Sequence, residues 1–366
     1  MKITAAVFRS PHRPFCIETL DLDDPHAGEL LVRVTAAGVC HSDWNLVTGD
    51  TCYPTPVVPG HEGAGIVEAV GEGVSRVRVG DQVAFCWAPS CGTCFYCLRG
   101  RPSLCSTYLM ANWAGTLLDG TTRLSIDGKP VYHFSTVACF ADRTVVPEQC
   151  CVPIRKEVPA VIAALLGCAV TTGVGAVLNT ARIQPGSSVV VAGVGGVGAS
   201  IILAARLSGA VPIVAVDTTE EKAAAALDLG ASEAFVAGEG VPPRIRALTG
   251  GRGADYVFDA TGLPSVQEQC LDCIRPGGTI VLVGISPVGS STNFPGAILT
   301  RREITVMGSY YGTSNPARDF PLYADLYLER KLDLDRLVTR TFSLSQINEA
   351  YAEMVGGKTV RGVIVF

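Results

Sequence analysis

Ser188-Val189-Val190-Val191-Ala192-Gly193-Val194-Gly195-Gly196-Val197-Gly198 is the stretch that decides the fold of this chain. Residues 188–192 read as an apolar β run, and residues 197–208 carry apolar side chains at helical spacing. Between them Gly193, Gly195, Gly196, Val197 and Gly198 satisfy G-x-G-x-x-G in a strand–turn–helix context. The first glycine permits the tight turn, the second lets backbone approach a pyrophosphate, and the third allows the helix to pack closely on the strand. The helix N-terminus then faces the phosphates. Such a site also needs a carboxylate about 20 residues further on, at the end of the next strand, to accept from a ribose 2′-OH. Asp217, closing Val214-Ala215-Val216-Asp217, meets that requirement. Its charge would repel a 2′-phosphate and no arginine follows directly, so NAD is expected in preference to NADP.

Working outward, residues 212–216 form another β run, 220–229 a helix, 256–260 a strand, 266–273 a helix and 279–283 a strand, each bounded by Gly or Pro. Strands alternating with helices indicate a parallel sheet. The first 150 residues have a different texture. Short β segments such as 30–36 and 65–70 are separated by turn signals at Gly71-Glu72-Gly73 and Gly80-Asp81, which reads as an all-β, barrel-like region. After residue 310 come a helix over 319–329, an amphipathic helix over 345–354 and a last strand over 362–366.

A chain of 366 residues exceeds the size at which one hydrophobic core stops growing, so two domains are expected. Hydrophobic residues at 48%, charged residues at 17% and a net charge of -5 describe a globular enzyme and offer nothing to a polyanion; no nucleic-acid partner is expected. Residues 1–10 lack a basic segment followed by an apolar one. No uninterrupted apolar run reaches the ~20 residues that span a bilayer, so a cytoplasmic protein without a membrane partner is expected.

Of the 14 cysteines, four lie at Cys91-x2-Cys94-x2-Cys97-x7-Cys105. Four thiolates on one loop close a tetrahedral shell with no open position, which points to a structural zinc. Cys40, His61 and Cys168 are zinc-ligand types as well, but spacing alone does not unite them. His12 and His26 stand in no motif.

With these motifs the chain resembles the zinc-dependent medium-chain alcohol dehydrogenases over essentially its whole length. Further matching segments are Gly120-Thr121-Thr122-Arg123, Gly128-Lys129-Pro130-Val131-Tyr132-His133-Phe134, Leu166-Gly167-Cys168 through Thr172-Gly173, and Arg361-Gly362-Val363-Ile364. The resemblance implies an α/β protein: a GroES-like, β-rich catalytic domain (1–169 and 311–366) interrupted by a Rossmann NAD-binding domain, a doubly wound parallel sheet (170–310), with the active site in the cleft between them. Bacterial aryl-alcohol, thiol-dependent formaldehyde and nicotinoprotein alcohol dehydrogenases look nearest.

Carried over position by position, Cys40, His61 and Cys168 would bind a catalytic zinc, with Glu62 behind it as an occasional ligand. Asp43 would hold the His61 tautomer, and Ser42 would contact the substrate oxygen and pass on its proton. His41 and Arg361 match positions at the cofactor pyrophosphate, Lys222 one beside the adenosine ribose, and Ile285 one along the cofactor and substrate channel. Trp87, Met110, Phe140 and Tyr310 match positions around the substrate. These mostly large, apolar side chains imply an apolar or aromatic primary alcohol, oxidised to an aldehyde or ketone with NAD and two zinc ions per chain. A thiol adduct of formaldehyde and a nicotinoprotein exchange with permanently bound NAD are the alternatives, and a non-catalytic binding protein is the reading from another class. One departure stands out: Asn45 occupies the place of a proton-relaying histidine, and an amide has no useful basicity near pH 7. The family also implies a homodimer or homotetramer, paired through residues 304–308.

Overall fold

A computed structural model describes residues 1–366. The chain divides into two compact units. The first comprises Met1–Thr171, Ser314–Arg330 and Val338–Phe366; the second comprises Thr172–Thr313 and Lys331–Leu337. From sequence, residues 311–366 are expected in the first domain. Residues 331–337 belong instead with the second, where the Arg336 guanidinium donates to the Asp228 carbonyl at 2.8 Å, closing the helix Glu220–Asp228.

The first unit holds two sheets. A five-stranded sheet runs in the order Lys2–Val7, Cys16–Leu22, Leu124–Ile126, Lys129–His133, Val57–Val58. A seven-stranded sheet runs Cys151–Pro153, Gln82–Phe85, Gly63–Val70, Glu29–Gly38, Arg361–Val365, Val338–Ser343, with Arg143–Pro147 also pairing to Glu29–Gly38. The pairing registers matter for function. Ala37 stands opposite Gly63, and Gly38 opposite Val363, so residues just beyond these pairs are drawn to one end of the sheet. Cys40, His61 and Arg361 lie two residues from those pairs and thereby converge, although spread over more than three hundred positions.

The second unit is a six-stranded sheet, all parallel, in the order Glu233–Val236, Ile213–Asp217, Val189–Ala192, Ala254–Asp259, Ile274–Leu282, Thr305–Gly308. The reversal of direction falls at Val189–Ala192, the doubly wound order expected from the sequence. Val189–Ala192 is buried throughout, as a central parallel strand covered on both faces must be.

One helix, Ala160–Ala181, is apolar and long enough to cross a membrane, and 89% of its most apolar window is buried in protein. In the sequence Thr171 and Thr172 interrupt its apolar run. Its regular turns are broken by two π segments, Leu166–Val170 and Ala176–Ala181.

Candidate active site

Cys40 precedes the helix His41–Thr48 and brings with it the acid and hydroxyl of that helix's first turn, Asp43 and Ser42. His61 follows Gly60, whose φ of +92° favours glycine; a Cβ there would sit 2.7 Å from the Phe140 nitrogen. Cys168 lies in the π segment Leu166–Val170, and Gly167 beside it lets the helix approach to where a Cβ would meet the Phe85 carbonyl at 2.7 Å. These local features bring the ligand atoms of Cys40, His61, Glu62 and Cys168, all buried, within 4.8 Å of one another.

The arrangement fits a metal. His61 Nε2 faces Cys168 Sγ at 3.3 Å, close to the ~3.6 Å edge of a tetrahedron with Zn–N and Zn–S bonds of ordinary length. His61 Nδ1 lies 3.2 and 3.1 Å from the two Asp43 oxygens, with its hydrogen bond to Oδ1, which also accepts from the Gly60 N–H at 2.8 Å. That carboxylate fixes the tautomer presenting Nε2. A hydrogen bond shared with Cys168 holds the Cys40 thiol well below its ordinary pKa, helped by Arg361 and His61, and Cys168 is pushed up by the same sharing. Burial opposes charge on His61, but Asp43 and Cys40 outweigh it and raise its pKa. Ser42 Oγ is 3.7 Å from Cys40 Sγ.

Arg361 has a protein partner that the sequence did not announce, and Phe140 stands elsewhere than expected. Arg361, matched to the pyrophosphate, is buried and its guanidinium is bound to the Glu62 carboxylate through Nε, at 3.3 Å, and Nη2. Burial pushes Glu62 up to about 7 against the pull of Arg361. Phe140, matched to the substrate channel, is fully buried in the core, 6.3 Å from the Tyr351 ring centroid. Phe134 instead stands near His61, ring centroids 5.8 Å apart and edge-on, with Trp87 edge-on at 6.2 Å. Phe134 lies in a segment that matches the family but carries no site assignment from sequence, since the chain between it and Phe140 passes through positive φ at Ser135, Thr136 and Ala138. Met110, at 75% exposed, lies on the helix Ser106–Ala114 of this unit. His41 is exposed, and Asn45 is half-buried.

The second ligand set is local. Cys91 and Cys97 sulfurs are 4.0 Å apart, Cys94 and Cys105 sulfurs 3.9 Å. Four thiolates at ~2.3 Å from one zinc would be about 3.8 Å apart. The Cys94 amide donates to Cys91 Sγ at 3.3 Å and the Cys91 amide to Cys105 Sγ at 3.4 Å. Hydrogen bonds from Thr107 and from the Thr93 backbone lower the Cys91 thiol to about 5. No cysteine is in a disulfide. A third cluster, His26, Glu29 and Asp119, is an ion-pair group, since Arg123 donates to Glu29 Oε1 at 2.7 Å and Asp119 Oδ2 at 2.6 Å.

In the second unit, Gly193 has φ +92°, a Cβ on Gly198 would meet the Gly193 carbonyl at 1.7 Å, and a Cβ on Gly195 would meet nothing within 4 Å. Tight turn, close packing and an open face thus fall on the three glycines as the motif requires, with Gly196 and Val197 opening the helix Gly196–Leu207. Asp217 Oδ2 accepts from the Val194 N–H at 2.6 Å, and Lys222 Nζ is 3.7 Å from Oδ1. Ile285, 71% exposed, and Tyr310, 37% exposed, belong to this unit.

Fold and ligand sets together define a zinc-binding dehydrogenase. Residues 196–329 match the family described as zinc-binding dehydrogenase, and residues 26–156 the alcohol dehydrogenase GroES-like domain. Putative alcohol dehydrogenase D of Mycobacterium tuberculosis is 38% identical over 371 residues, with 100% of each chain covered. The NDMA-dependent alcohol dehydrogenase of Amycolatopsis methanolica is 37% identical over 371 residues, covering 100% of this chain and 99% of that one. The crystal structure of benzyl alcohol dehydrogenase from Acinetobacter calcoaceticus superposes with a TM-score of 0.95 at 32% identity, covering 100% and 99%. The chain belongs to the zinc-dependent medium-chain alcohol dehydrogenases, and it is an oxidoreductase acting between small alcohols and their carbonyl products.

Proposed function

We propose that the protein oxidises an apolar or aromatic primary alcohol to its aldehyde with NAD, reversibly, and holds two zinc ions per chain. The observation that carries this reading is the buried convergence of Cys40, His61 and Cys168 beside the edges of Trp87 and Phe134. Zinc supplies Lewis acidity that lowers the pKa of a hydroxyl, and the nicotinamide accepts the hydride. Cys40, His61 and Cys168 hold the metal, while Cys91, Cys94, Cys97 and Cys105 hold the structural ion. Asp43 keeps the His61 proton on Nδ1. Ser42 Oγ receives the hydroxyl proton and passes it to water, because Asn45 has no basic atom to take it. Trp87 and Phe134 present flat apolar rings to the organic part of the alcohol. Asp217 favours NAD by accepting from a ribose 2′-OH and repelling a 2′-phosphate.

A panel of aryl, aliphatic primary, secondary and thiol-adduct alcohols, read by NADH absorbance together with zinc analysis, tests this proposal. Expected are two zinc ions per chain and the highest kcat/KM for aryl or long primary alcohols. No turnover with any alcohol in a protein carrying both ions would refute it. A second reading, NAD that stays bound and is reoxidised by a second carbonyl compound, draws support from the relative named for its dependence on NDMA. Bound NADH in the purified protein, indifferent to added NAD and turned over with NDMA, would select it. We also propose a cytoplasmic homodimer or homotetramer, paired through the edge strand Thr305–Gly308.

A further inference from the structure

Tyr351 lies on the helix Ile347–Val355, is wholly buried, and its hydroxyl has no hydrogen-bond partner. A buried hydroxyl without a partner is destabilising, and a phenylalanine would make the same ring contacts without that cost. The ring is clamped against the elements of the candidate metal centre. It stacks on Trp44 at 5.6 Å and 20°, next in sequence to Asp43, and meets Phe140 edge-on at 6.3 Å, the residue packed under the Gly60 turn that carries His61. Phe15 closes the third side at 5.0 Å. A second buried oxygen here is also short of a hydrogen bond: Asp43 Oδ2, on the carboxylate whose Oδ1 holds both the Gly60 amide and His61. Asp43 is the strongest of the charges felt by the Tyr351 phenol, ahead of Cys40, Cys139 and Arg361. Burial first, and then above all the Asp43 charge, against the opposing pull of Arg361, keep the phenol protonated and therefore a donor.

We propose that Tyr351 is a positioning residue of the metal centre, its hydroxyl donating to Asp43 Oδ2 directly or through one internal water, so that a Tyr351–Asp43–His61 chain aims Nε2 at the ion. The donor sits on a ring stacked against Trp44 and the acceptor on the adjacent Asp43, both buried and each without a hydrogen bond, so that one can satisfy the other. A carboxylate restrained at both oxygens cannot rotate about its last bond, and His61 is held by that carboxylate. The inference rests on the reading that Cys40, His61 and Cys168 bind zinc.

The test is Tyr351→Phe, alone and combined with Asp43→Asn, in the full-length zinc-loaded protein. Three quantities are read: zinc per chain, the rate at which a colorimetric chelator removes the faster-exchanging ion, and the visible spectrum after cobalt replaces it. Loss of a partner around a metal ligand costs 10- to 100-fold in affinity, and one step further out we expect about 3- to 10-fold faster zinc loss in Tyr351→Phe. A shifted cobalt band and a lowered Tm should accompany it, because the buried Asp43 oxygen loses its donor. In the Asp43→Asn background the phenylalanine should add nothing further. Unchanged zinc loss and spectrum, or effects that simply add, would overturn the proposal, because an idle buried hydroxyl predicts just that. Wild type with one zinc per chain would instead sink the metal reading. Should Tyr351→Phe not fold, a high-resolution crystal structure of the wild type decides: Oη bonded to Asp43 Oδ2, directly or through one water, supports the chain, and any other partner for Oη overturns it.

Discussion

Arg361 and Glu62, 299 residues apart, form a buried ion pair immediately beside the cysteine–histidine cluster. The strand pairing that puts Val363 opposite Gly38 brings them together. Breaking a buried pair from one side costs more than the pair itself contributes, since the survivor is left charged in a low-dielectric site. Arg361→Met is therefore expected to lower the unfolding free energy by about 3–5 kcal/mol. Arg361→Met with Glu62→Gln should recover most of it. Urea unfolding of the single and double variants checks this, and equal losses in both would refute it.

The two phenylalanines six residues apart make a second test. Phe140→Ala should cost about 3–5 kcal/mol of stability, as a core truncation does, while changing the relative kcat/KM of different alcohols little. Phe134→Ala and Trp87→Ala should cut kcat/KM for aryl alcohols by at least tenfold more than for ethanol, because only large substrates reach the rings beside His61. A steady-state comparison of benzyl alcohol with ethanol for the three variants reads this directly.

That pair also shows where the sequence stops being legible. Gly193, Gly198 and Asp217 could be read because their partners lie within one strand–turn–helix–strand unit, and Cys91 to Cys105 because a single loop carries the whole shell. Cys40, His61 and Cys168 meet only through strand registers and a π segment, which no spacing rule encodes; resemblance alone connected them. Between Phe134 and Phe140 the chain passes through positive φ at Ser135, Thr136 and Ala138, residues that do not advertise such turns. Which ring faces the site therefore could not follow from alternation. Lys331–Leu337 groups with the second unit through a guanidinium on a helix-end carbonyl, a tie invisible in composition.

Cys97→Ser should take one zinc of the two and leave turnover of the remaining protein within a few-fold of wild type at low temperature. A structural ion contributes folding free energy outright, so the loop from Cys91 to Cys105 should become protease-sensitive. Metal analysis with limited proteolysis mapped by mass spectrometry provides the check; an intact loop at one zinc per chain would contradict it.

Asp217→Ser removes the carboxylate that accepts from the Val194 amide and leaves Lys222 without its nearest anion. Both changes should relax the discrimination against a 2′-phosphate. We expect KM for NAD to rise about tenfold, the worth of one charge-assisted hydrogen bond, and NADP turnover to become measurable. Steady-state kinetics with both cofactors decides.

His133 gives the expected pH dependence of stability. Its Nε2 accepts from the Arg123 amide at 3.2 Å, so the ring is neutral with its proton on Nδ1. Burial above all, and then the Arg123 charge, push its pKa down to about 3. That guanidinium is itself held by Glu29 and Asp119, which keeps the cation against the ring. In the unfolded chain the same histidine titrates near its ordinary ~6.5. From about pH 6.5 down to about pH 3 the unfolded state binds a proton that the folded state refuses, so stability falls as pH falls through this window and is unaffected above it. One such group contributes a slope of about 1.4 kcal/mol per pH unit. His133→Gln keeps an acceptor for the Arg123 amide but cannot titrate. Its unfolding free energy, measured in urea between pH 4 and 6, should therefore decline more gently than that of wild type by about that amount, and parallel declines would show that His133 is protonated in the native protein.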